Sequence, residues 1–163
     1  MGFVDKDLVK VDICCGPFKK PGFIGVDIVA CPGVEIVCNL NERFPFEDSS
    51  VDYLRAHDAL EHLFDKIKTM NEIYRVCKNG ATVDIKVPST DGRGAFQDPT
   101  HVTFWNRNSF SYYSSDNQIL FQLCKQYGFK GNFHIQKIKD IKGPDKIVHT
   151  EVVLRVVKTN EAL

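Results

Sequence analysis

The chain has 163 residues, of which 43% are hydrophobic and 26% are charged, and its 21 basic residues are balanced by 21 acidic residues. This length suits one domain with a substantial core, and the composition excludes a disordered chain or a fibre. The balanced charge argues against nucleic acid as a partner, and no apolar run approaches the length of a membrane helix. We therefore expect a single domain over residues 1–163, with no nucleic-acid partner and no membrane partner.

The cysteines point to a reducing compartment. There are six of them: Cys14, Cys15, Cys31, Cys38, Cys77 and Cys124. They form no C-x-x-C pair, and no cysteine–histidine group has the spacing of a zinc site. Several lie in apolar runs, where cysteine behaves as a small hydrophobic residue. We expect reduced, mostly buried thiols, a cytoplasmic protein and no metal site.

The first third of the chain is dominated by short β-rich segments. They are apolar or β-branched and are bounded by glycine, proline or polar turns. The predicted strands are Leu8–Cys14, Phe23–Val29, Glu35–Cys38 and Val51–Ala56.

Two amphipathic helices follow, separated by a strand. Apolar residues recur every three to four positions from Phe64 to Cys77, with a stop at Asn79-Gly80, and again from Ile119 to Tyr127, with a stop at Gly128. Between them, Thr82–Val87 alternates as a strand.

The C-terminal part is β-rich again. Phe133–Ile141 and Ile147–Val157 are long β-rich runs joined by a turn at residues 142–145, which predicts an antiparallel hairpin. The alternation of strands and helices before it favours a mostly parallel α/β sheet with helices on both faces. Ligands of such sheets bind beyond the carboxyl ends of the strands.

The residues at the strand ends resemble those of the class I S-adenosylmethionine-dependent methyltransferases. Val11–Gly16 is similar to that family's first motif, Val26-Asp27 to its ribose-binding acid, and Asn39-Leu40 to the position that faces the adenine. Phe44–Asp65 (FPFEDSSVDYLRAHDALEHLFD) resembles the fourth strand with the helix after it, and Met70–Pro88 (MNEIYRVCKNGATVDIKVP) resembles the helix, turn and fifth strand. The resemblance covers residues 8–105 and implies a Rossmann-like fold and S-adenosylmethionine as cofactor.

The resemblance also implies a set of cofactor-binding residues. They are Asp12, Cys14, Cys15, Gly16, Asp27, Ile28, Asn39, Leu40, His57 and Asp58. The chain departs from the family pattern at Cys14 and Phe18, where the family has glycine, and at Asn39, where it commonly has Asp. A cysteine at position 14 is tolerable if its backbone has an ordinary β conformation.

The connection between the first two predicted strands is unusually short. Asp27 comes only eleven residues after Gly16, and Pro17, Pro21 and Gly22 all oppose helix formation. We therefore expect no helix between these strands. NAD and FAD need a helix N-terminus for their pyrophosphate, whereas S-adenosylmethionine has no phosphate, so the missing helix counts against an NAD-dependent oxidoreductase. Residues 19 and 20 are lysines that either approach the methionine carboxylate or are solvated loop charges.

A segment after the fifth strand supplies candidate catalytic residues. Asp98-Pro99-Thr100-His101 follows a flexible stretch at residues 91–94 and resembles a D-P-x-H segment found in a subset of these methyltransferases. We expect His101 to act as a base or substrate ligand and Asp98 to orient it. The alternative is that Asp98 caps a turn and His101 bonds to the backbone. Glu61 either favours the dipole of the following helix or takes part in catalysis.

The predicted function is methyl transfer from S-adenosylmethionine to a small-molecule acceptor. The alternative is a catalytically inactive methyltransferase fold that serves as a binding or assembly module, which the trimmed first motif and Asn39 favour. A homodimer is compatible with either. The aromatic residues between positions 96 and 113 either pack against the sheet or, at Trp105 or Tyr112, line a substrate pocket.

Overall fold

The computed structural model describes residues 8–158, which form a seven-stranded sheet with the order β3-β2-β1-β4-β5-β7-β6. The first five strands are parallel, and β7 pairs antiparallel with β5 and β6. The strands are β1 (Lys10–Ile13), β2 (Ile24–Asp27), β3 (Ile36–Val37), β4 (Val51–His57), β5 (Cys77–Pro88), β6 (Phe133–Lys142) and β7 (Val148–Val156).

Within residues 8–158, three α-helices and three short 3-10 helices connect the strands. The α-helices are α1 (Lys66–Val76), α2 (Gly94–Gln97) and α3 (Gln118–Gln126), and the 3-10 helices are Gly16–Phe18, Leu60–His62 and Arg107–Tyr113. Helix α1 begins where the Asp65 carboxylate accepts a hydrogen bond from the Lys68 amide, and it ends at Cys77, whose backbone is extended. Helix α3 ends before Gly128, whose φ of 100° is the left-handed conformation that glycine tolerates.

One face of the sheet is the apolar core. Leu54 and Ala56 of β4 and Ile85 of β5 are fully buried in one cluster with residues of α1 and α3. The connections from β4 to β5 and from β5 to β6 run in the same direction across the sheet, and right-handed crossovers then place both helices on the same face.

The opposite face of the central strands is polar. Tyr53, Arg55 and His57 alternate with the core residues of β4, and Asp84 does so on β5. Asp12, on β1, is fully buried on this face and accepts hydrogen bonds from the Arg55 guanidinium at 2.8 Å and from the backbone amide of residue 20 at 2.9 Å. This face is therefore held together by hydrogen bonds between neighbouring strands.

The expected fold class is confirmed, including the mostly parallel sheet and the C-terminal antiparallel hairpin. The connection between β1 and β2 contains only the 3-10 turn Gly16–Phe18, so the expected absence of a helix there is also confirmed. The distribution of the helices differs from the expectation of helices on both faces. In residues 8–158, α1 and α3 share one face because neither the β1–β2 nor the β2–β3 connection forms an α-helix.

The aromatic segment after β5 packs into the core. Trp105, Phe110 and Tyr113 are buried, and the rings of Trp105 and Phe110 stack with centroids 5.4 Å apart. The Trp105 indole donates a hydrogen bond to the Thr103 hydroxyl at 3.0 Å. The pocket role considered for Trp105 is wrong, since its ring fills the core beneath the segment.

Candidate functional site

A cleft of about 690 Å³ opens at the carboxyl ends of β1, β2 and β4. It contains six of the ten predicted cofactor-binding residues, namely Cys14, Asp27, Ile28, Asn39, Leu40 and Asp58. The other lining residues are Val29, Cys38, Asn41, His62, Leu63, Phe64, Thr100 and Val102. The topology thus gathers segments that are distant in the sequence at one edge of the sheet, as expected for an open α/β sheet.

Asp27 is held in place by two backbone amides. Its Oδ2 accepts a hydrogen bond from the Gly16 amide and its Oδ1 accepts one from the Val29 amide, both at 2.9 Å. Gly16 and its neighbour Cys15 do not line the cleft; the Cys15 amide donates to the Val26 carbonyl at 3.3 Å. Within the turn after β1, Cys14 therefore lines the cleft, whereas Gly16 positions the Asp27 carboxylate.

Two cleft residues have left-handed backbone conformations. The φ angles of Cys14, after β1, and Asp58, after β4, are both 51°. The ordinary β conformation that would make a cysteine tolerable at position 14 is therefore not present: Cys14 adopts the conformation that glycine would adopt without strain. Burial, with added repulsion from Asp27 and Glu61, raises the pKa of the Cys14 thiol to about 12, so the thiol is neutral at physiological pH.

Exposed apolar side chains line the cleft on two sides, one after β2 and one after the 3-10 turn Leu60–His62. Ile28, Val29 and Phe64 each expose more than 60% of their surface. The loop after β3 is braced across the cleft, because the Asn41 carboxamide oxygen accepts a hydrogen bond from the Phe64 amide at 2.9 Å. Asn39 caps the same loop by accepting from the Asn41 amide at 3.0 Å. Exposed apolar side chains that converge on a cleft mark a place where a ligand is bound.

Two predicted cofactor residues lie on the polar face of the sheet instead. Asp12 pairs with Arg55, and His57 lies between Arg55 and Asp84, with both ring nitrogens 3.0 Å from their partners. Because a guanidinium can only donate, His57 Nδ1 accepts from Arg55, and its Nε2–H donates to Asp84. Neither Asp12 nor His57 lines the cleft.

The two lysines of the β1–β2 loop are occupied elsewhere. Lys19 forms an ion pair with Glu35, and the Lys20 ammonium lies 5.4 Å from the centre of the Phe23 ring. Neither lines the cleft, so neither is placed to bind a carboxylate there.

Comparisons with known proteins agree with this geometry. Residues 6–84 match the sequence model of a family described as "Methyltransferase domain". No curated protein matches the sequence. Among solved structures, a SAM-dependent methyltransferase from Methanosarcina mazei superposes with a TM-score of 0.63 at 15% identity, covering 96% of this chain and 95% of that one. Residues 6–84, just under half of the chain, are thus similar to a methyltransferase-domain family, and the fold is shared with a SAM-dependent methyltransferase.

Other members of this fold appear in complexes. The 1,6-didemethyltoxoflavin-N1-methyltransferase of Burkholderia thailandensis, solved with its substrate and S-adenosylhomocysteine, has a TM-score of 0.65 at 14% identity, covering 92% of this chain and 71% of that one. A methyltransferase solved with the Haloferax volcanii Trm112 activator has a TM-score of 0.63 at 15% identity, covering 95% and 85%. At these identities the likeness shows a shared fold.

Within this methyltransferase fold, the predicted pair His101 and Asp98 is not hydrogen-bonded. His101 Nε2 and Asp98 Oδ2 are 3.9 Å apart, His101 Nδ1 lies 3.0 Å from the Ala95 carbonyl oxygen, and Asp98 accepts from the amide and hydroxyl of Thr100. The structure therefore has the alternative arrangement, in which Asp98 caps a turn and His101 bonds to the backbone. Neither lines the cleft, although Thr100 and Val102 do.

Glu61 is the acidic residue that sequence reasoning undervalued. It is 2% exposed, and neither carboxylate oxygen has a hydrogen-bond partner among residues 8–158. Burial, together with the negative charges of Asp58 and Asp98, raises the pKa of Glu61 to about 8. Its neighbour His62 lines the cleft and packs edge-on against the His101 ring, with centroids 5.0 Å apart. The sequence signal was present in the residue pair Glu61-His62, but nothing in the linear order connects that pair to His101.

None of the helices in residues 8–158 combines the length and the apolar character needed to cross a membrane.

Proposed function

We propose that this chain binds S-adenosylmethionine in the cleft and transfers its methyl group to a small-molecule acceptor. The observation that supports this proposal most directly is the charge of the cleft wall. Its lining residues, within the described range 8–158, include the carboxylates of Asp27 and Asp58 and no lysine or arginine. Such a wall favours a ligand with a sulfonium and an ammonium group and disfavours a pyrophosphate.

Each part of the cofactor has a matching group in this proposal. The fixed carboxylate of Asp27 accepts hydrogen bonds from the two ribose hydroxyls. Ile28 and Val29 contact one face of the adenine, and the backbone at Asn39-Leu40 faces its edge. Cys14 and Asp58 border the methionine part, where Asp58 attracts its positive charge.

The acceptor side of the cleft is formed by the segment around His62. When bound, the cofactor supplies a methyl group on a sulfonium sulfur, which departs readily as a neutral thioether. The chain's contribution is to align the nucleophile with that methyl group and to exclude water. His62 and Thr100 lie at this wall. We propose that His101, the predicted base, positions the adjacent His62 ring and does not contact the acceptor itself.

Calorimetric titration with S-adenosylmethionine and S-adenosylhomocysteine tests the binding site. We expect Asp27→Ala to weaken binding by about 10- to 100-fold, because it removes hydrogen bonds to a charged acceptor. Asp116→Ala is the matched control, since Asp116 pairs with His134 beside the first residues of β6, at the end of the sheet opposite the cleft. The proposal fails if the unmodified chain binds neither compound at millimolar concentration.

A second measurement distinguishes an enzyme from an inactive binding module. The chain is incubated with methyl-labelled S-adenosylmethionine and an extract of small metabolites, and transfer of label is followed by mass spectrometry. Transfer that is reduced in Asp27→Ala supports the enzyme. Cofactor binding without any transfer would instead favour the non-catalytic module.

A further inference from the structure

Three metal-ligand side chains converge beside the cleft. Glu61 and His62 belong to the 3-10 turn after β4, and His101 follows α2; one candidate ligand atom from each lies within 4.8 Å of the others. The fold holds them together because the amides of Val102 and Thr103 donate to the Glu61 carbonyl at 2.8 and 3.1 Å. The Thr103 hydroxyl also donates to the Leu60 carbonyl at 2.8 Å.

The carboxylate of this cluster lacks a partner. Glu61 is 98% buried, and within residues 8–158 no donor reaches either of its oxygens. A buried carboxylate without hydrogen bonds is costly unless a proton or a cation balances it. The nearest candidate nitrogen, His62 Nε2, is 4.0 Å from Glu61 Oε1.

Both imidazoles are oriented as metal ligands usually are. His101 Nδ1 lies 3.0 Å from the Ala95 carbonyl oxygen, and His62 Nδ1 lies 3.2 Å from the Thr100 carbonyl oxygen. A carbonyl oxygen can only accept. The Thr100 hydroxyl, 3.1 Å from His62 Nδ1, donates its proton to Asp98 Oδ1 at 2.6 Å and so also accepts from the ring. Each Nδ1 therefore carries the proton, and each Nε2 has its lone pair free. A histidine that binds a metal almost always donates its other N–H to such a backbone or carboxylate oxygen, which fixes the tautomer.

We propose that Glu61, His62 and His101 together bind one divalent transition-metal cation. Two imidazoles and one carboxylate suit Zn²⁺, Mn²⁺, Fe²⁺ or Co²⁺ and leave coordination positions open. Ligand atoms on a tetrahedral ion at 2.0–2.2 Å are about 3.4 Å apart, so the side chains must move inward by about 0.5–1 Å.

The cation has a consequence for the acceptor that rests on the proposed methyl transfer. His62 belongs both to the cluster and to the cleft wall, so a cation held by the cluster would lie at the edge of the proposed acceptor site. A cation there would lower the pKa of a coordinated acceptor hydroxyl, which loses its proton to solvent. The oxygen then takes the methyl group, and the sulfonium sulfur leaves as a neutral thioether. The acceptor class is therefore an oxygen nucleophile such as a hydroxyl or enol. Binding of the cation itself does not depend on the methyl-transfer proposal.

The test uses the metal-free full chain, titrated with Mn²⁺ and Co²⁺ by calorimetry. Mn²⁺ is included because it avoids thiolates, which separates this site from the cysteines. We expect one equivalent to bind. Changes in the outer-shell partners of a metal ligand typically lower metal affinity by about 10- to 100-fold. Glu61→Gln and His101→Ala change the ligands themselves, so each should lower the affinity at least as much. His134→Ala, on the exposed β6 edge, should bind as the unmodified chain does.

Circular dichroism establishes that each variant is folded, and His62→Gln replaces any variant that is not. The proposal is overturned if the unmodified chain binds no stoichiometric Mn²⁺ or Co²⁺, or if the ligand variants bind as tightly as His134→Ala. S-Adenosylhomocysteine binding by the metal-free chain is measured in parallel. Cation binding without cofactor binding would keep this inference and reject the proposed function.

Discussion

The two faces of the central strands are stabilised by different interactions. On β4 and β5 the residues facing α1 and α3 are apolar and fully buried, whereas their immediate neighbours, including Tyr53, Arg55 and Asp84, form a half-buried hydrogen-bonded layer. A helix layer excludes water from the first face. The second face in this chain is closed partly by the β1–β2 loop, where Phe23 packs edge-on against Tyr53 with centroids 5.3 Å apart. A sheet face without helices can thus be stabilised by a connected polar network.

The largest effect is expected on the apolar face. Ile85→Ala removes a fully buried side chain from the cluster beneath α1 and α3 and should lower the free energy of unfolding by about 2–5 kcal/mol. Thr82→Ala, on the polar face of the same strand, is the matched control and should cost much less. Urea unfolding measures both; equal losses would break the distinction between the two faces.

The buried ion pair on the polar face gives the next largest effect. Arg55→Met leaves Asp12 fully buried and without its charge partner. Because Arg55 is itself partly exposed, we expect a loss of about 2–3 kcal/mol, below the 3–5 kcal/mol of a fully buried pair. The double variant Asp12→Asn/Arg55→Met should recover most of this loss in thermal unfolding. No recovery would mean that Arg55 acts through packing and not through Asp12.

His57 tests whether the polar face and the cleft are separate. His57→Ala removes hydrogen bonds to Arg55 and Asp84, so we expect a loss of about 1 kcal/mol of stability. The His57→Ala variant should bind S-adenosylhomocysteine with the same affinity as the unmodified chain, whereas Asp27→Ala should bind it more weakly. A weakened affinity would show that His57 contributes to the cofactor site.

Asp84 gives the smallest effect, visible as a pH dependence. Burial alone would raise its pKa, but the hydrogen bonds from His57 and Tyr53 and the nearby positive charge of Arg55 outweigh burial and lower the pKa below its ordinary value of about 4. A lowered carboxyl pKa contributes stability above that ordinary value and loses it as the pH falls through the folded-state pKa. The stability difference between the unmodified chain and Asp84→Asn should therefore shrink on acidification below about pH 4. A difference that grows on acidification would contradict the network.

The part of the site that follows consecutive strand ends was predictable. Asp27 and Ile28 lie at the end of one short β-rich segment, and Asn39 and Leu40 follow the next. Parallel strands bring their carboxyl ends to one edge. His57 also ends a strand, yet it belongs to the polar face. Proximity to a strand end does not determine the face, because face alternates with every residue.

The Glu61–His62–His101 cluster could not be predicted in the same way. It depends on backbone hydrogen bonds from Val102 and Thr103 to the turn after β4, which have no signature in residue type. A metal-ligand motif in a sequence reveals only ligands that lie close together along the chain. Because this sequence has no such motif, it predicted no metal site.

The amino-acid sequence by itself determined the order of the strands and helices, the missing helix after β1 and the acid at the end of β2. These follow from local periodicity, proline and glycine positions and chain length. Only the tertiary structure decided that Cys14 is left-handed, that Asp12 and His57 serve the polar face, and that Glu61 is buried beside two imidazoles. Those outcomes depend on which face each strand residue takes and on contacts between distant segments.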